Sequence, residues 1–353
     1  MAGALAAAGH EADTIHYVGC TRGIETRLLP ETPYPYTFYD VVGFQRSLSR
    51  RNLAFAPKMW SARREAVALL RRLDPKVVVT VGGYASMPAV FAARKLGVPV
   101  VVVSYDFVPG RASQLAARSA AACAVAFEDS PLPNATVTGA PVRQAILTLD
   151  RTRDRTTARR RLGVPDDRFL VAVMGGSLGS GVLNAAIARY ASAHRDDDGL
   201  AIRQVAGERF VDEIAVVGAT RSNGLLHQLV GYEDDMASVY AAADVLVGRG
   251  GASTVHEVAV TGIPAILIPW SGAADDHQTE NVRWLSDVEG AVLMTETALA
   301  ADPSHLGEAI ERLRDDAEAR GRLSAAARRR GEVHRSGALA SLVERVALAS
   351  TAR

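Results

Sequence analysis

Cysteine, membrane-spanning segments and net charge are all scarce in this sequence. Its 353 residues include only Cys20 and Cys123, and neither lies in a Cys-x-x-Cys or Cys/His spacing, which favours a reduced cytosolic protein without a zinc site. No apolar run reaches the ~18–20 residues that a membrane-spanning helix needs. The first residues, MAGALAAAGHEAD, lack the basic and apolar regions of a secretion signal. The net charge of +1 argues against a nucleic-acid binder that works by bulk electrostatics.

Strand-like and helix-like segments alternate along the whole chain, which is long enough for two domains of ordinary size. The predicted strands are Ile15–Val18, Val77–Val81, Val100–Ser104, Ala124–Phe127, Leu170–Met174, Ala201–Val205, Val245–Val247 and Ala265–Ile268. The predicted helices between them include Ser61–Leu73, Ala85–Leu96, Gly181–His194 and Thr254–Val260. The strands are almost wholly apolar, as parallel strands covered on both faces are. The sequence therefore predicts an α/β protein with doubly wound parallel sheets.

The composition changes near residues 139–156, where a polar, charged stretch separates two sets of strands. We therefore predict an N-terminal domain over residues 1–145, a second α/β domain over 146–335 and a C-terminal helix over 336–353. Ligands of doubly wound folds bind beyond the carboxyl ends of the strands, so a site is expected in a cleft between the domains.

Two glycine-rich turns in the second domain are candidate phosphate sites. MGGSLGSGVLN (174–184) holds Ser177 in a strand–turn–helix context, although it matches neither the P-loop nor the dinucleotide spacing, and a plain tight turn remains an alternative. VLVGRGGASTVHEV (245–258) predicts a helix with Thr254 as N-cap and Glu257 three residues later. The same helix start also suits an anion. Glu257 is then placed to accept hydrogen bonds from ribose hydroxyls, while Arg249 is either a phosphate partner or an ordinary surface arginine.

The loop IPWSGAADDHQTEN (268–281) carries Asp275, Asp276, His277 and Gln278 after a predicted strand. Its spacing fits no standard metal site, and hydrated loop acids are the ordinary alternative. Amide and imidazole groups in this position also suit sugar hydroxyls.

The stretch Phe44–Arg72 has the clearest excess of one charge. Its basic residues are accompanied by a single acid, Glu65, and are interleaved with aromatic and aliphatic side chains. This pattern predicts contact with an anionic membrane surface, and the alternatives are a solvated basic helix face or an RNA contact. The predicted membrane patch consists of Phe44, Arg46, Arg50, Arg51, Phe55, Lys58 and Trp60.

Taken together, these motifs resemble the MurG family, the glycosyltransferases that move N-acetylglucosamine (GlcNAc) from UDP-GlcNAc to lipid I in peptidoglycan synthesis. The resemblance runs through GCTRGIETRLLP, GGYASMPAV, VPGRAS, TGAPVR, GGSLGS, GYEDDMASVYAAADVLVGRGGASTVHEVAVTGIPAILIPW and DDHQTEN. It implies a GT-B fold and an inverting, metal-independent transfer without a cofactor. It also implies UDP-GlcNAc and lipid I as partners, no nucleic acid, and a peripheral position on the cytoplasmic side of the cell membrane.

The resemblance also implies roles for individual residues. Ser177 and neighbouring amides would meet the diphosphate, and Arg143 would contact the nucleotide sugar. The segment Ala252, Ser253, Thr254, Val255, His256 and Glu257 would hold phosphate and ribose, with Glu257 on the ribose hydroxyls. The backbone near Glu233 would recognise uracil, and Gln278 would touch the sugar.

Two departures from the family pattern bear on catalysis. The family's N-terminal GGTGGH loop, whose histidine serves as a candidate general base, is absent from this sequence, and we expect a start codon assigned too far downstream rather than a decayed enzyme. Asp106 stands where the family has an asparagine that contacts the donor sugar, so Asp106 is a candidate base in its place. Three other functions stay open: a transferase with a different lipid or natural-product acceptor, a UDP-sugar epimerase, and a non-catalytic UDP-sugar binder.

Overall fold

The structure is a computed structural model that describes residues 1–23, 25–41, 55–176, 179–214, 216, 224–273 and 276–351. The chain forms two compact units. Unit 1 comprises Met1–Pro141 together with Ser336–Arg353, and unit 2 comprises Val142–Arg335. The predicted boundary at 145/146 lies close to this division. Residues 336–353, which the sequence presented as a separate segment, are part of unit 1.

Unit 1 contains two parallel sheets. The first pairs β1 (Tyr17–Cys20) with β2 (Tyr36–Tyr39), and the second has the order β3-β4-β5-β6. The remaining elements in chain order are α1 (Ala2–Ala7), α2 (Glu25–Leu28), α3 (Phe55–Leu73), β3 (Val78–Thr80), α4 (Met87–Leu96), β4 (Val100–Ser104), α5 (Arg111–Ala117), β5 (Ala122–Val125) and β6 (Ala135–Val137).

Unit 2 is built on one six-stranded parallel sheet of order β12-β11-β10-β7-β8-β9. Its elements in chain order are α6 (Gln144–Leu147), α7 (Arg151–Leu162), β7 (Phe169–Met174), α8 (Gly181–Ala193), β8 (Leu200–Val205), β9 (Leu226–Val230), α9 (Met236–Ala242), β10 (Val245–Arg249), α10 (Ala252–Thr261), β11 (Ala265–Ile268), α11 (His277–Ser286), β12 (Val292–Leu293), α12 (Glu296–Ala301), α13 (His305–Asp315) and α14 (Ala317–Gly331). The chain order reverses between β7 and β10, which is the switch point where doubly wound sheets bind ligands.

The last helix, α15 (Ala338–Thr351), returns to unit 1. Its Leu342 packs in one cluster with Val101 and Val103 of β4, while Val100 and Val102 pack in another cluster with α3 and α4. Successive strand side chains point to opposite faces, so an all-valine strand needs an apolar cover on both sides. The C-terminal helix supplies part of that cover on one face.

The predicted alternation of strands and helices is confirmed, with element ends shifted by a few residues. Predicted Ile15–Val18 is β1 at Tyr17–Cys20, and predicted Thr254–Val260 is α10 at Ala252–Thr261. The sequence analysis missed β2, β6, β9 and β12. Within the described residues, no helix is both long and apolar enough to cross a bilayer.

Candidate functional site

The carboxyl ends of β7, β10 and β11 lie side by side because these strands are adjacent and parallel in the sheet. The loops that follow them are the three stretches that the sequence singled out, MGGSLGS, RGGAST and IPWSGAADDHQTEN. Two of these loops, after β7 and β10, flank the switch point. The sheet order, which the sequence does not reveal, therefore brings the predicted phosphate loops together in unit 2.

The turn after β7 depends on glycine. Gly176 and Gly179 have φ of 81° and 69°, and a Cβ on Gly179 would lie 2.1 Å from the Ala206 carbonyl oxygen. Ser180 then caps α8 by accepting a hydrogen bond from the Leu183 amide. Ser177, the predicted diphosphate contact, lies outside the described residues.

The turn after β10 brings the backbone close to the first turn of α11. A Cβ on Gly250 would lie 2.7 Å from the Gln278 carbonyl oxygen, so only glycine fits at this position. Helix α10 begins at Ala252 with Gly251 as its N-cap, without a side-chain cap. The predicted Thr254 N-cap and its capping box with Glu257 are therefore wrong, because Thr254 already lies inside the first turn. The first-turn amides of Ala252, Ser253 and Thr254 have no acceptor within the helix, which suits an anion.

Glu257 is held by two side chains, Arg143 and Tyr240. Its Oε1 accepts hydrogen bonds from Nε and Nη2 of Arg143, at 3.2 and 3.0 Å, and its Oε2 accepts one from the Tyr240 hydroxyl at 2.8 Å. Tyr240 is fully buried, whereas the Arg143 side chain is 56% exposed. Burial, reinforced by the Glu257 carboxylate, raises the pKa of Tyr240 well above its usual value, so its hydroxyl stays a donor. Two predicted site residues, Arg143 and Glu257, are thus in direct contact.

Val255 and His256 are core residues, so their predicted part in holding phosphate and ribose stays a prediction for the backbone of this segment. Both are fully buried, and the His256 ring packs against Trp284 and His334, with ring centroids 5.3 and 4.7 Å away. Eight of the ten residues of α10 are buried, so this helix faces the interior on almost every side. In the same cluster, burial together with His256 and Arg335 lowers the pKa of His334 to about 3.

Arg249 is buried and joins three loops, so the interpretation as a surface arginine is wrong. Its Nη2 lies 2.6 Å from the Ser180 Oγ and 2.6 Å from Oε1 of Glu296, whose Oε2 accepts the Ser271 amide at 2.9 Å. Burial opposes ionisation of Glu296, but the hydrogen bonds from Ser271 and the Arg249 ion pair outweigh it and lower the pKa of Glu296. Sequence reasoning missed Glu296, which lies 47 residues after Arg249 and in no recognisable motif.

Glu233 and Gln278 have structural partners of their own. The Glu233 carboxylate pairs with Arg203, 2.6 Å from Nη2, and Oε1 of Gln278 accepts the Trp270 amide at 3.0 Å. The predicted uracil contact uses the backbone near Glu233, which this ion pair holds in place. Because the Trp270 amide occupies the Gln278 oxygen, the predicted sugar contact would use the Gln278 NH2 group.

In unit 1, Asp106 follows β4 by two residues and is half-buried. It therefore lies just beyond the carboxyl end of an inner strand of the four-stranded sheet. Carboxyl ends of parallel strands are the usual place for functional side chains in such sheets.

Part of the predicted membrane patch is described, on α3. Trp60 is 62% exposed and Arg64 stacks over its ring at 4.8 Å. A groove of about 420 Å³ beside them is lined by Trp60, Arg63, Arg64, Val67, Ala68, Arg71 and Lys95. Lys58 is paired with Asp40 at 2.7 Å, so its charge is partly neutralised. Phe44, Arg46, Arg50 and Arg51 lie outside the described residues, as does the side chain of Phe55.

The described residues include no group of three or more His, Cys, Asp or Glu side chains placed to hold a metal ion. The loop acid Asp276 instead has φ of 51° at the N-cap of α11 and accepts a hydrogen bond from Thr279.

Family models match most of the chain. The glycosyltransferase family 28 N-terminal domain matches residues 1–125, and the family's C-terminal domain matches residues 170–338. Two relatives are named UDP-N-acetylglucosamine--N-acetylmuramyl-(pentapeptide) pyrophosphoryl-undecaprenol N-acetylglucosamine transferase. The one from Desulforamulus reducens is 30% identical and covers 94% of this chain and 89% of its own length. The one from Nocardioides sp. is 36% identical over 81% of this chain and 77% of its own length.

Solved structures agree with this assignment. The crystal structure of Acinetobacter baumannii MurG is similar with a TM-score of 0.66 and 26% identity, covering 93% of this chain and 90% of that one. A UDP-GlcNAc 2-epimerase from Neisseria meningitidis has a TM-score of 0.63 at 12% identity, covering 93% of this chain and 91% of that one, which shows a shared fold alone. The parallel sheets and these neighbours establish the GT-B fold, and this chain is a glycosyltransferase that belongs to the MurG family.

Proposed function

We propose that this protein transfers GlcNAc from UDP-GlcNAc to lipid I, undecaprenyl-pyrophosphoryl-MurNAc-pentapeptide, and so makes lipid II for peptidoglycan. Binding of the donor, UDP-GlcNAc, is supported by one observation at the switch point of the unit 2 sheet. There, two glycine turns and the first turn of α10 meet beside Glu257. Backbone amides at a helix N-terminus stabilise phosphate, and a carboxylate one turn further suits ribose hydroxyls. The relatives' names supply the sugar and the acceptor.

The proposed chemistry is a direct displacement at the anomeric carbon with inversion and without a metal. The acceptor hydroxyl attacks, the bond to the UDP oxygen breaks, and the amides of Ala252, Ser253 and Thr254 stabilise the charge that develops on the diphosphate. Arg143 donates to Glu257 Oε1, so a ribose that binds this oxygen displaces the guanidinium. The displaced guanidinium then contacts the same phosphates.

The test is transfer of labelled GlcNAc from UDP-GlcNAc to a short-chain lipid I analogue, with and without EDTA. We expect a β-linked product from the α-linked donor and the same rate in EDTA. Sugar isomerisation without lipid would favour the epimerase alternative. Tight UDP-GlcNAc binding with no transfer would contradict the proposal and favour a non-catalytic binder or a different acceptor.

Asp106 is the candidate general base for the acceptor hydroxyl. Its place beyond the end of β4 supports this role, and a positioned base contributes about 10²–10⁴ in rate. We expect Asp106→Asn to lower kcat by roughly that factor, with UDP binding unchanged. Full activity in Asp106→Asn would refute the assignment.

The α3 groove is the proposed contact with an anionic membrane surface. An exposed indole beside Arg63, Arg64, Arg71 and Lys95 combines interfacial insertion with attraction to acidic lipid, at about 1 kcal/mol for each basic residue near the surface. Sedimentation with phosphatidylglycerol vesicles tests this proposal against phosphatidylcholine vesicles.

We expect Trp60→Ser to weaken binding to the anionic vesicles, and the matched control Trp270→Ser, at an exposed tryptophan in unit 2, to leave it unchanged. Equal binding by Trp60→Ser and the parent protein would favour the solvated-face alternative. Competition by RNA would favour a nucleic-acid contact instead.

A further inference from the structure

Tyr240, within the GYEDDMASVYAAAD stretch, contacts Glu257, and the sequence analysis assigned it no role. It lies on α9, is fully buried, and donates its hydroxyl hydrogen to Oε2 of Glu257 on α10 at 2.8 Å. The hydrogen bond joins two helices that both pack into the large unit 2 core. A buried polar pair of this kind is fixed in space by the packing around it.

The two oxygens of the Glu257 carboxylate are used differently. Oε2 faces the interior and is occupied by Tyr240, whereas Oε1 faces the half-exposed guanidinium of Arg143. Rotation of the carboxylate would break the Tyr240 bond and leave a buried hydroxyl without its acceptor, which is unfavourable. Glu257 therefore offers one oxygen, in one orientation, to whatever displaces Arg143.

We propose that Tyr240 is a positioning residue that fixes Glu257 to select a ribonucleoside diphosphate over its 2′-deoxy analogue. The proposal rests on the proposed function, in which Glu257 receives the ribose. Because Oε1 is already held in one orientation, both hydroxyls of a cis-diol can donate to it. Binding then does not carry the entropic cost of ordering the Glu257 side chain. A carboxylate released by loss of Tyr240 adapts to the remaining 3′-hydroxyl and discriminates less.

The experiment measures dissociation constants of UDP and 2′-deoxy-UDP by isothermal titration calorimetry. The protein is compared with Tyr240→Phe, which removes one oxygen and keeps the ring. The matched control is Tyr190→Phe, because Tyr190 is also a buried unit 2 tyrosine that donates to a glutamate, Glu311, but on α8 and α13.

We expect the parent protein to prefer UDP by about tenfold or more, as one charge-assisted hydrogen bond implies. Tyr240→Phe should reduce this preference by about fivefold, mainly by lowering the affinity for UDP. Tyr190→Phe should leave the preference unchanged. Tyr240→Met removes the same hydroxyl and serves where Tyr240→Phe fails to fold. A structural role alone would weaken both nucleotides equally and leave the ratio unchanged.

Glu257→Gln adds a second constraint on the same contact. The Tyr240 hydroxyl will donate to the amide oxygen and turn the NH2 group toward the ligand. The preference for UDP should then fall in this variant, and adding Tyr240→Phe should lower it no further, because the two side chains act as one unit.

The outcomes separate this inference from the proposed function. UDP binding without preference over 2′-deoxy-UDP overturns the inference and leaves a UDP-sugar enzyme intact. A full preference in Tyr240→Phe overturns the positioning role. Absence of UDP binding in the parent protein overturns the donor assignment, and the inference falls with it.

Discussion

Replacement of Arg143 by alanine should change the affinities for uridine and for UDP in opposite directions. Arg143 and a ribose compete for the same atom, Oε1 of Glu257, on which the guanidinium places two nitrogens at 3.0 and 3.2 Å. Because uridine carries no phosphate, it only has to displace the arginine. UDP displaces the arginine and then gains it as a phosphate partner.

The exposure of Arg143 sets the size of the first effect. With 56% of its side chain exposed, the ion pair is screened and contributes at most about 1 kcal/mol, so uridine should bind up to about fivefold more tightly to Arg143→Ala. UDP loses a hydrogen bond between charged groups, about 1.5–3 kcal/mol, but gains the same relief of up to about 1 kcal/mol, so its net loss is roughly twofold to a hundredfold.

Isothermal titration calorimetry of both ligands at one fixed low ionic strength measures the two changes. The control is Arg322→Ala, because Arg322 has the same 56% exposure and a comparable ion pair with Glu318 on α14. That variant should leave both affinities unchanged. Tighter UDP binding, or a loss for uridine as large as that for UDP, would refute the competition for Oε1.

Three further predictions concern stability. Asp244→Ala should lower the free energy of unfolding by about 3–5 kcal/mol in urea denaturation, because it leaves the fully buried Arg159 without the carboxylate 2.7 Å from its Nη2; a loss under 1 kcal/mol would contradict this. Gly250→Ala should cost about 1–3 kcal/mol, since its Cβ meets backbone at 2.7 Å, whereas Gly251→Ala, with open space around its Cβ, should be close to neutral. For His334, burial lowers the folded pKa to about 3 from its usual value of 6.5, so its contribution to stability is fully present above pH 6.5 and is lost as pH falls, by roughly 2 kcal/mol at about pH 5. Urea denaturation between about pH 5 and 6.5 should show the free energy of unfolding falling as pH falls, and His334→Leu should reduce this slope. An equal slope in both proteins would contradict the prediction.

The sequence predicted the main elements where local chemistry was strong. The all-valine run of β4 and the alanine-rich period of α8 were identified because packing repeats at a fixed interval there. The missed strands lack such a pattern. β9 contains His227 and Gln228, β12 has two residues, and all three residues of β6 are exposed.

The residues of the candidate site also fall into those that the sequence predicted and those that only the structure revealed. Glycine turns and Glu257 were singled out from the sequence because backbone geometry requires glycine locally and because Glu257 follows a glycine turn by a fixed spacing. Tyr240 and Glu296 were not found, because a buried tyrosine and a lone glutamate are ordinary residues until their partners are known. Val255 and His256 lie in the same predicted segment, and only the structure shows that their side chains face the core.

By itself, the sequence determined the class of this protein: buried parallel strands, two α/β units and glycine-lined helix starts. Those features depend on residues near one another in the chain, whose period and spacing are visible without coordinates. Only the tertiary structure decided that β10 lies beside β7, which side of α10 faces the core, and that Arg143 and Tyr240 share the Glu257 carboxylate. Such pairings join residues far apart in sequence, and the packing of whole elements sets them rather than any local preference.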